Sequence, residues 1–473
     1  MVGLRGQSIL EHAAMTRLAP VLVLPLLVIA STPGTAQGPA VVSEAPVART
    51  TVRLDGPAEV TLVVTAACRA ASWARTGHEG AVLRLMVDGR YSQHLVLSRG
   101  AEPAPYRVLL GALDAGDHEA TLFVERGRPG VPPDAVVVEA VDASVTPAGT
   151  LEHRALAHSP FIHARAGTVD RFSDVPLLMW YATQPSPRGT WLRYSVIFSN
   201  EDGGTPADKL MATWGRLTDI EYVYGVELDT AGRILSAEYQ GPDHRFLPFA
   251  GQRVGQHPVL YVVTENNMTS DRGESAERFA LAPIPFEITG GSREVIMDAH
   301  PWLYRVSAEE ALREGRVDAA SRPGSGRVPD PRRFVYVEAC GRGRDATVAF
   351  DAGFADEGRP MTWAASDGGV PDFRVAVGGR REETERPDGC FRAAVATPPG
   401  AGPLRALRWR AYARPARANE PPTAPGAARA RLTRVTRVFR LDDNYVPGPN
   451  LLTTDRELEL PIGGTPTEIA IVR

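Results

Sequence analysis

Apolar and polar residues alternate with period two along most of this chain, the pattern of strands with one buried face. The clearest pair is "AVLRLMV" (Ala81–Val87) and "RYSQHLVLS" (Arg90–Ser98), joined by Asp88-Gly89, a hairpin dipeptide. "YRVLLGALDAGDHEATLFVE" (Tyr106–Glu125) predicts a strand ending at Gly111, a turn carrying Asp114 and Gly116, and a second strand. "GRPGVPPD" (Gly127–Asp134) reads as a loop, because "AVVVEAVDASV" resumes the alternation after it. Two turn-rich stretches then divide the chain: "TPAG" (Thr146–Gly149) and "ASRPGSGRVPDPRR" (Ala320–Arg333). Beyond the second break, "RFVYVEAC", "DATVAFDAGF", "DFRVAVGG", "CFRAAVA", "LRWRAYA" and "TEIAIVR" are further strand candidates, and 415–430 reads as a loop.

These signals predict a mainly β protein of three β-sandwich-like domains in tandem, at 50–148, 150–320 and 334–473. One short helix, Ser307–Glu314, is predicted to close the middle domain. Ser307 and Glu310 form an S-x-x-E capping box there, and Gly315 stops the helix. Composition supports the class: 45 Gly and 40 Pro spread along 473 residues favour short strands and turns over long helices.

Charge narrows the partners. A formal net charge of −4 gives no general affinity for nucleic acid. Lys209 is the sole lysine, so positive charge is almost wholly arginine. The N-terminus carries Arg17, the apolar run Leu18–Ala30 and small residues at Gly34 and Ala36. That is the layout of a secretory signal over residues 1–36, with Met15 as an alternative start. The run is too short to span a bilayer, and no later stretch is longer. The expectation is a secreted or periplasmic protein with no transmembrane segment in the mature chain. Cys340 and Cys390 either pair in that oxidising compartment or remain thiols. Cys68, in "VTLVVTAAC", is expected to be a buried thiol.

Candidate chemistry concentrates in the middle segment. In "GRLTDIEYVYGVELD" (Gly215–Asp229), period two puts Asp219, Glu221, Val223, Gly225 and Glu227 on one face. Ile220, Tyr222, Tyr224, Val226 and Leu228 fall on the other, which reads as the core face. A hairpin loop at 229–232 would set Leu228 opposite Arg233 and Glu221 opposite Gln240, and would bring His244 to the carboxylate face. Asp219, Glu221 and His244 are then a candidate ligand set for a divalent cation: calcium, magnesium or manganese. Two polar loops, "SNEDGGT" with Glu201 and Asp202, and "TENNMTSD" with Glu265, Asn266 and Asn267, offer hydrogen-bonding groups for a polyol. Each set also has a plain reading, as solvated strand residues and ordinary turn residues. The chain carries no G-x-S-x-G, H-E-x-x-H or Walker signature.

The stretch "GRLTDIE" resembles the Gly-His-Arg-His-Asp-Trp-Glu heptapeptide of the secreted necrosis-inducing-like proteins. Gly215, Asp219 and Glu221 match, whereas Arg216 and Thr218 replace the two histidines and Ile220 the tryptophan. The strand "RYSVIFSN" before it and "HPVLY" (His257–Tyr261) after it are similar to the vacuolar-protein-sorting-like relatives of that group. The resemblance implies a β-sandwich with a divalent metal on Asp219 and Glu221. With both histidines replaced, it does not extend to cytolysis. The 50–148 segment loosely resembles the jelly-roll modules of secreted carbohydrate-active proteins.

Three functions follow as expectations. The first is an exported multidomain protein that binds an extracellular or envelope glycan, or another polyol, in the middle domain, with or without a divalent cation. The second is a secreted glycan-cleaving hydrolase or lyase. The third is a structural envelope protein without a small-molecule site.

Overall fold

The hairpin at Asp88-Gly89 forms as the alternation requires. Both residues take positive φ, 50° and 71°, the primed geometry whose twist matches the flanking strands. A computed structural model describes residues 45–377, 389–415 and 426–471. The expected signal (1–36) and residues 416–425 of the expected loop lie outside these; the end of that loop enters the strand Arg429–Phe439.

The chain is mainly β. In the first segment Ala48–Leu54, Gly116–Val124, Val82–Val87 and Arg90–Val96 form one sheet, and Ala104–Leu113, Ala58–Cys68 and Val136–Val145 a second. Val60, Leu62 and Val64 meet Leu83, Leu85 and Leu122 in their shared core. The strand expected to end at Gly111 runs on to Leu113, because a bulge at this point absorbs one residue opposite Val60 and Thr61.

The middle segment holds a six-stranded sheet in the order Arg245–Pro248, Ile234–Gly241, Asp219–Leu228, Gly189–Phe198, Pro176–Ser186, Ile284–Pro285. A smaller sheet built on His257–Val262 and Phe161–His163 faces it. Met179, Tyr194, Val196, Val226 and Leu260 fill the space between. In the third segment one sheet contains Cys390–Ala396, Phe334–Arg344, Arg429–Phe439 and Leu458–Leu460. The other contains Thr362–Ala365, Ala346–Phe354, Leu404–Ala413 and Thr467–Ala470. Cys340 and Cys390 stand opposite each other in register and form a disulfide. Cys68 is buried, and burial pushes its thiol up to about 12.

Three further cores lie between the segments, the smallest joining Leu109 to Leu156, Phe161, Ala280 and Ala282. Trp73, Val82 and Val96 pack with Phe172, Phe279 and Val306. Trp180, Ile197 and Ile220 pack with Leu303, Tyr304, Tyr336 and Phe439. Several strands are therefore buried on both faces.

Among the described residues there are five α-helices rather than one. The expected Ser307–Glu314 helix is the end of a longer one, Trp302–Arg313. Ser307 does not cap it: its hydroxyl donates back to the carbonyls of Leu303 and Tyr304 at 3.1 and 3.2 Å. Leu303, Tyr304 and Val306 are buried, so the packed face starts a turn before the capping pattern. The stop at Gly315 holds, with the Arg316 N–H donating to Ala311 at 2.8 Å. No helix among the described residues is long and apolar enough to cross a membrane.

Candidate functional site

The strand Asp219–Leu228 has the bounds that the alternation predicts, but its faces differ. Tyr194 pairs with Tyr224 and Ser195 with Tyr222, so Val223 is the extra residue of a bulge. A bulge reverses the alternation beyond it. Asp219, Glu221, Val223, Tyr224, Val226 and Leu228 thus share the inner face, while Ile220, Tyr222, Gly225 and Glu227 share the outer one. Val223, Tyr224, Val226 and Leu228 join the middle core, and Ile220 joins the core toward the third segment.

The expected cation set does not converge. Asp219, 2% exposed, accepts from Asn267 Nδ2 at 3.0 Å, and Arg216 Nη1 lies 3.6 Å from its other oxygen. Glu221 accepts from Gln240 Nε2 at 2.9 Å, and the same amide lies 2.9 Å from His244 Nδ1. Gln240 therefore stands between Glu221 and His244, and His244 is exposed on a turn at Pro242–His244. The register is one residue from the expected one at Leu228, which pairs with Ile234, and two residues from it beyond, where Glu227 pairs with Ser236. Asp229 closes a loop one residue longer, its Oδ1 accepting from Arg233 N at 2.8 Å, and a bulge at Leu235 adds the second residue. Among the described residues no three His, Cys, Asp or Glu side chains are placed to hold a metal ion. Arg216 already sets a positive charge at Asp219, so these residues do not fit the cation that the resemblance implies.

The two polar loops do come together. Gly203 N donates to Glu265 O at 3.1 Å, and Asn267 Nδ2 donates to Asn200 O at 3.1 Å. Most of their polar side chains are engaged internally. Asp202 is held by Arg165 and Arg171 at 2.5 and 2.6 Å, and Glu201 accepts from Thr205 N at 2.8 Å. Asn266 accepts from the Thr264 hydroxyl at 2.7 Å, and Glu265 is exposed beside it. Of the five expected ligand residues, Glu201 and Asn267 are buried below the loop surface.

Electrostatics there are those of packed acids. Burial, then the charge of Asp219, raises the Glu201 carboxyl to about 8; burial, then Asp202, raises Asp174 to about 8. Burial also works against Asp202, but Arg171 and Arg165 hold it below the ordinary range. A carboxyl raised above its unfolded value stabilises the fold fully below that value, and this stability is lost as pH rises through the folded one. Glu201→Gln stays neutral and keeps an acceptor for Thr205. Relative to wild type it is expected to gain at least about 1 kcal/mol between about pH 5 and about pH 8. Urea unfolding at both pH values measures the gain; a pH-independent difference would show Glu201 ionised throughout.

The outer face carries an arrangement that the alternation hid. Trp191, Arg193, Tyr222, Glu238 and Phe246 are all half-buried there. The Arg193 guanidinium lies 5.0 Å from the Trp191 ring and 5.5 Å from the Tyr222 ring. It donates to Gln184 at 2.9 Å and to Glu238 at 3.1 Å, and the Tyr222 hydroxyl donates to the same Glu238 oxygen at 3.0 Å. Tyr222 and Phe246 rings stand 5.3 Å apart at 49°. Gly225 makes room: a Cβ there would lie 2.0 Å from the Tyr222 hydroxyl oxygen and 3.4 Å from Trp191. The result is a strip of aromatic faces interleaved with planar polar groups, beyond the point where Trp180 and Ile220 are covered. A glycine inside a strand marks a bulge or a close approach, and Gly225 was the sequence signal for both.

No family model matches the chain, and no match was found among curated proteins.

Proposed function

We propose that this protein binds a glycan on the outer face of its six-stranded sheet. The observation that carries this reading is the half-exposed strip Trp191–Arg193–Tyr222–Phe246, with Gln184 and Glu238 at its sides. A pyranose has an apolar C–H face and a rim of hydroxyls that both donate and accept. Trp191 and Tyr222 present ring surface to the first, and the carboxylate and amide of Glu238 and Gln184 serve the second. Arg193 locks the rings, so little side-chain freedom is lost on binding. The protein acts outside the cytoplasm, a placement supported by the Cys340–Cys390 disulfide and the apolar N-terminal run.

Trp191→Ala is expected to weaken binding of the best ligand in a soluble polysaccharide panel by about 2 kcal/mol, roughly thirtyfold, with little change in melting temperature. Calorimetric titration of both proteins measures this. Equal binding would move the site off this face. The same mixtures, assayed for new reducing ends or unsaturated products, separate binding from the hydrolase or lyase reading.

A further inference from the structure

A second place on the molecule has the shape of a ligand site. A cavity of about 340 Å³ lies between the first and middle segments, within the usual size range of small-molecule pockets. Leu178, Met179 and Ile284 belong to its apolar wall. Its ionisable lining is His94, Arg99, Tyr106, Arg107 and His300, with no Asp or Glu. Arg99 is half-buried and donates to the Pro105 carbonyl at 3.1 Å, with its guanidinium 5.0 Å from the Trp302 ring. Arg305 comes from the other side, donating to the Arg99 carbonyl at 2.7 Å.

We propose that this cavity binds a small amphipathic carboxylate, its hydrocarbon body against Leu178, Met179 and Ile284 and its carboxylate at Arg99. A guanidinium drawn out of water beside an apolar wall is costly without an anion, and no side chain in the lining supplies one. Burial acts against the Arg99 cation, Tyr106 opposes this in part, the like charge of Arg305 adds to it, and a bound carboxylate offsets both adverse effects. Burial holds His94 down to about 4 and also lowers His300, so both rings are neutral at pH 7. That leaves positive charge suited to a monoanion. Arg107 is exposed and adds to the positive field where the cavity reaches the surface.

Sodium octanoate is the probe, titrated calorimetrically into the full-length protein, with 1-octanol and inorganic phosphate as controls. Saturable octanoate binding is expected, roughly tenfold or more tighter than 1-octanol. Arg99→Gln should bring octanoate down to the level of the alcohol, whereas Arg99→Lys retains part of the difference. Leu178→Trp, which fills the apolar wall, should abolish binding of both. The wild-type comparison decides even where a variant fails to fold. No saturable octanoate binding, equal affinity for octanoate and octanol, tighter binding of phosphate, or an unchanged Arg99→Gln would each overturn the proposal.

Discussion

Replacing Arg392 with alanine is expected to cost about 3–5 kcal/mol of stability, the range for removing one partner of a buried ion pair. Arg392 is 1% exposed. Its Nε donates to Glu338 at 2.7 Å, and its Nη1 and Nη2 grip the two oxygens of Asp298 at 2.9 and 2.8 Å. Nη1 also donates to the Tyr304 hydroxyl and to the Glu294 carbonyl. Without the guanidinium, the buried Glu338 would have no cation and keep only the Ser292 N–H and hydroxyl, while Asp298 would keep Arg437 at 2.7 Å and the Tyr304 hydroxyl at 2.8 Å. Burial pushes Asp298 up, but Arg392 and then Arg437 hold it below the ordinary carboxylate range. A depressed carboxyl contributes stability above its unfolded value and loses it as pH falls through the folded one. The gap between wild type and Arg392→Ala should therefore be widest near neutral pH and narrow as pH falls below about 4. Denaturant unfolding across that range measures it. The triple variant Arg392→Met, Glu338→Gln, Asp298→Asn should recover much of the loss, because it removes the charges together. A single-variant cost below about 1 kcal/mol would mean that the network relaxes or admits water.

Loss of the Cys340–Cys390 bridge is the other large effect. The cysteines are 50 residues apart in sequence, and closing a loop of that size lowers the entropy of the unfolded chain by the equivalent of about 4 kcal/mol in the chain-entropy model. The double variant Cys340→Ala, Cys390→Ala should show most of this as a shift in unfolding midpoint. Thiol labelling gives an independent reading. The unfolded, unreduced protein should expose one reactive thiol, Cys68, and the reduced protein three. The folded protein should expose none, since Cys68 is buried and its thiolate disfavoured. Three thiols without reductant would remove the bridge.

Local signals carried over well into the fold where the cause was local. Asp88-Gly89 makes its hairpin, and Asp219–Leu228 keeps its predicted ends. What failed depended on partners far along the chain. The bulge at Val223 was hidden because Val223 and Tyr224 are both apolar, so either face assignment fits the string; only Gly225 hinted at it. The slip that separates His244 from Asp219 arises from the loop that Asp229 closes and from the bulge at Leu235. Arg392, alternating with Phe391 and Ala393 in "CFRAAVA", reads as the wet face of a sandwich. It is instead buried, because Phe391 and Ala393 pack into the third segment's core while Ala394, on the Arg392 side, packs against the middle segment. No pattern of period two distinguishes an outward face from one that another segment covers.

The cores shared between segments bear on how such a chain could have been assembled. Beads on a string can be duplicated, reordered or lost, because each keeps its own surface when its neighbour is removed. Here a cut within 320–333 would lay bare Phe334, Tyr336 and Phe439 on one piece and Trp180, Ile220 and Leu303 on the other. Either fragment would carry a sticky apolar face, and the C-terminal one would keep the Glu338–Arg392 pair without Asp298. The three sheet pairs are therefore bound to be inherited, expressed and degraded as a single piece, and recombination that respects only the linkers would be selected against.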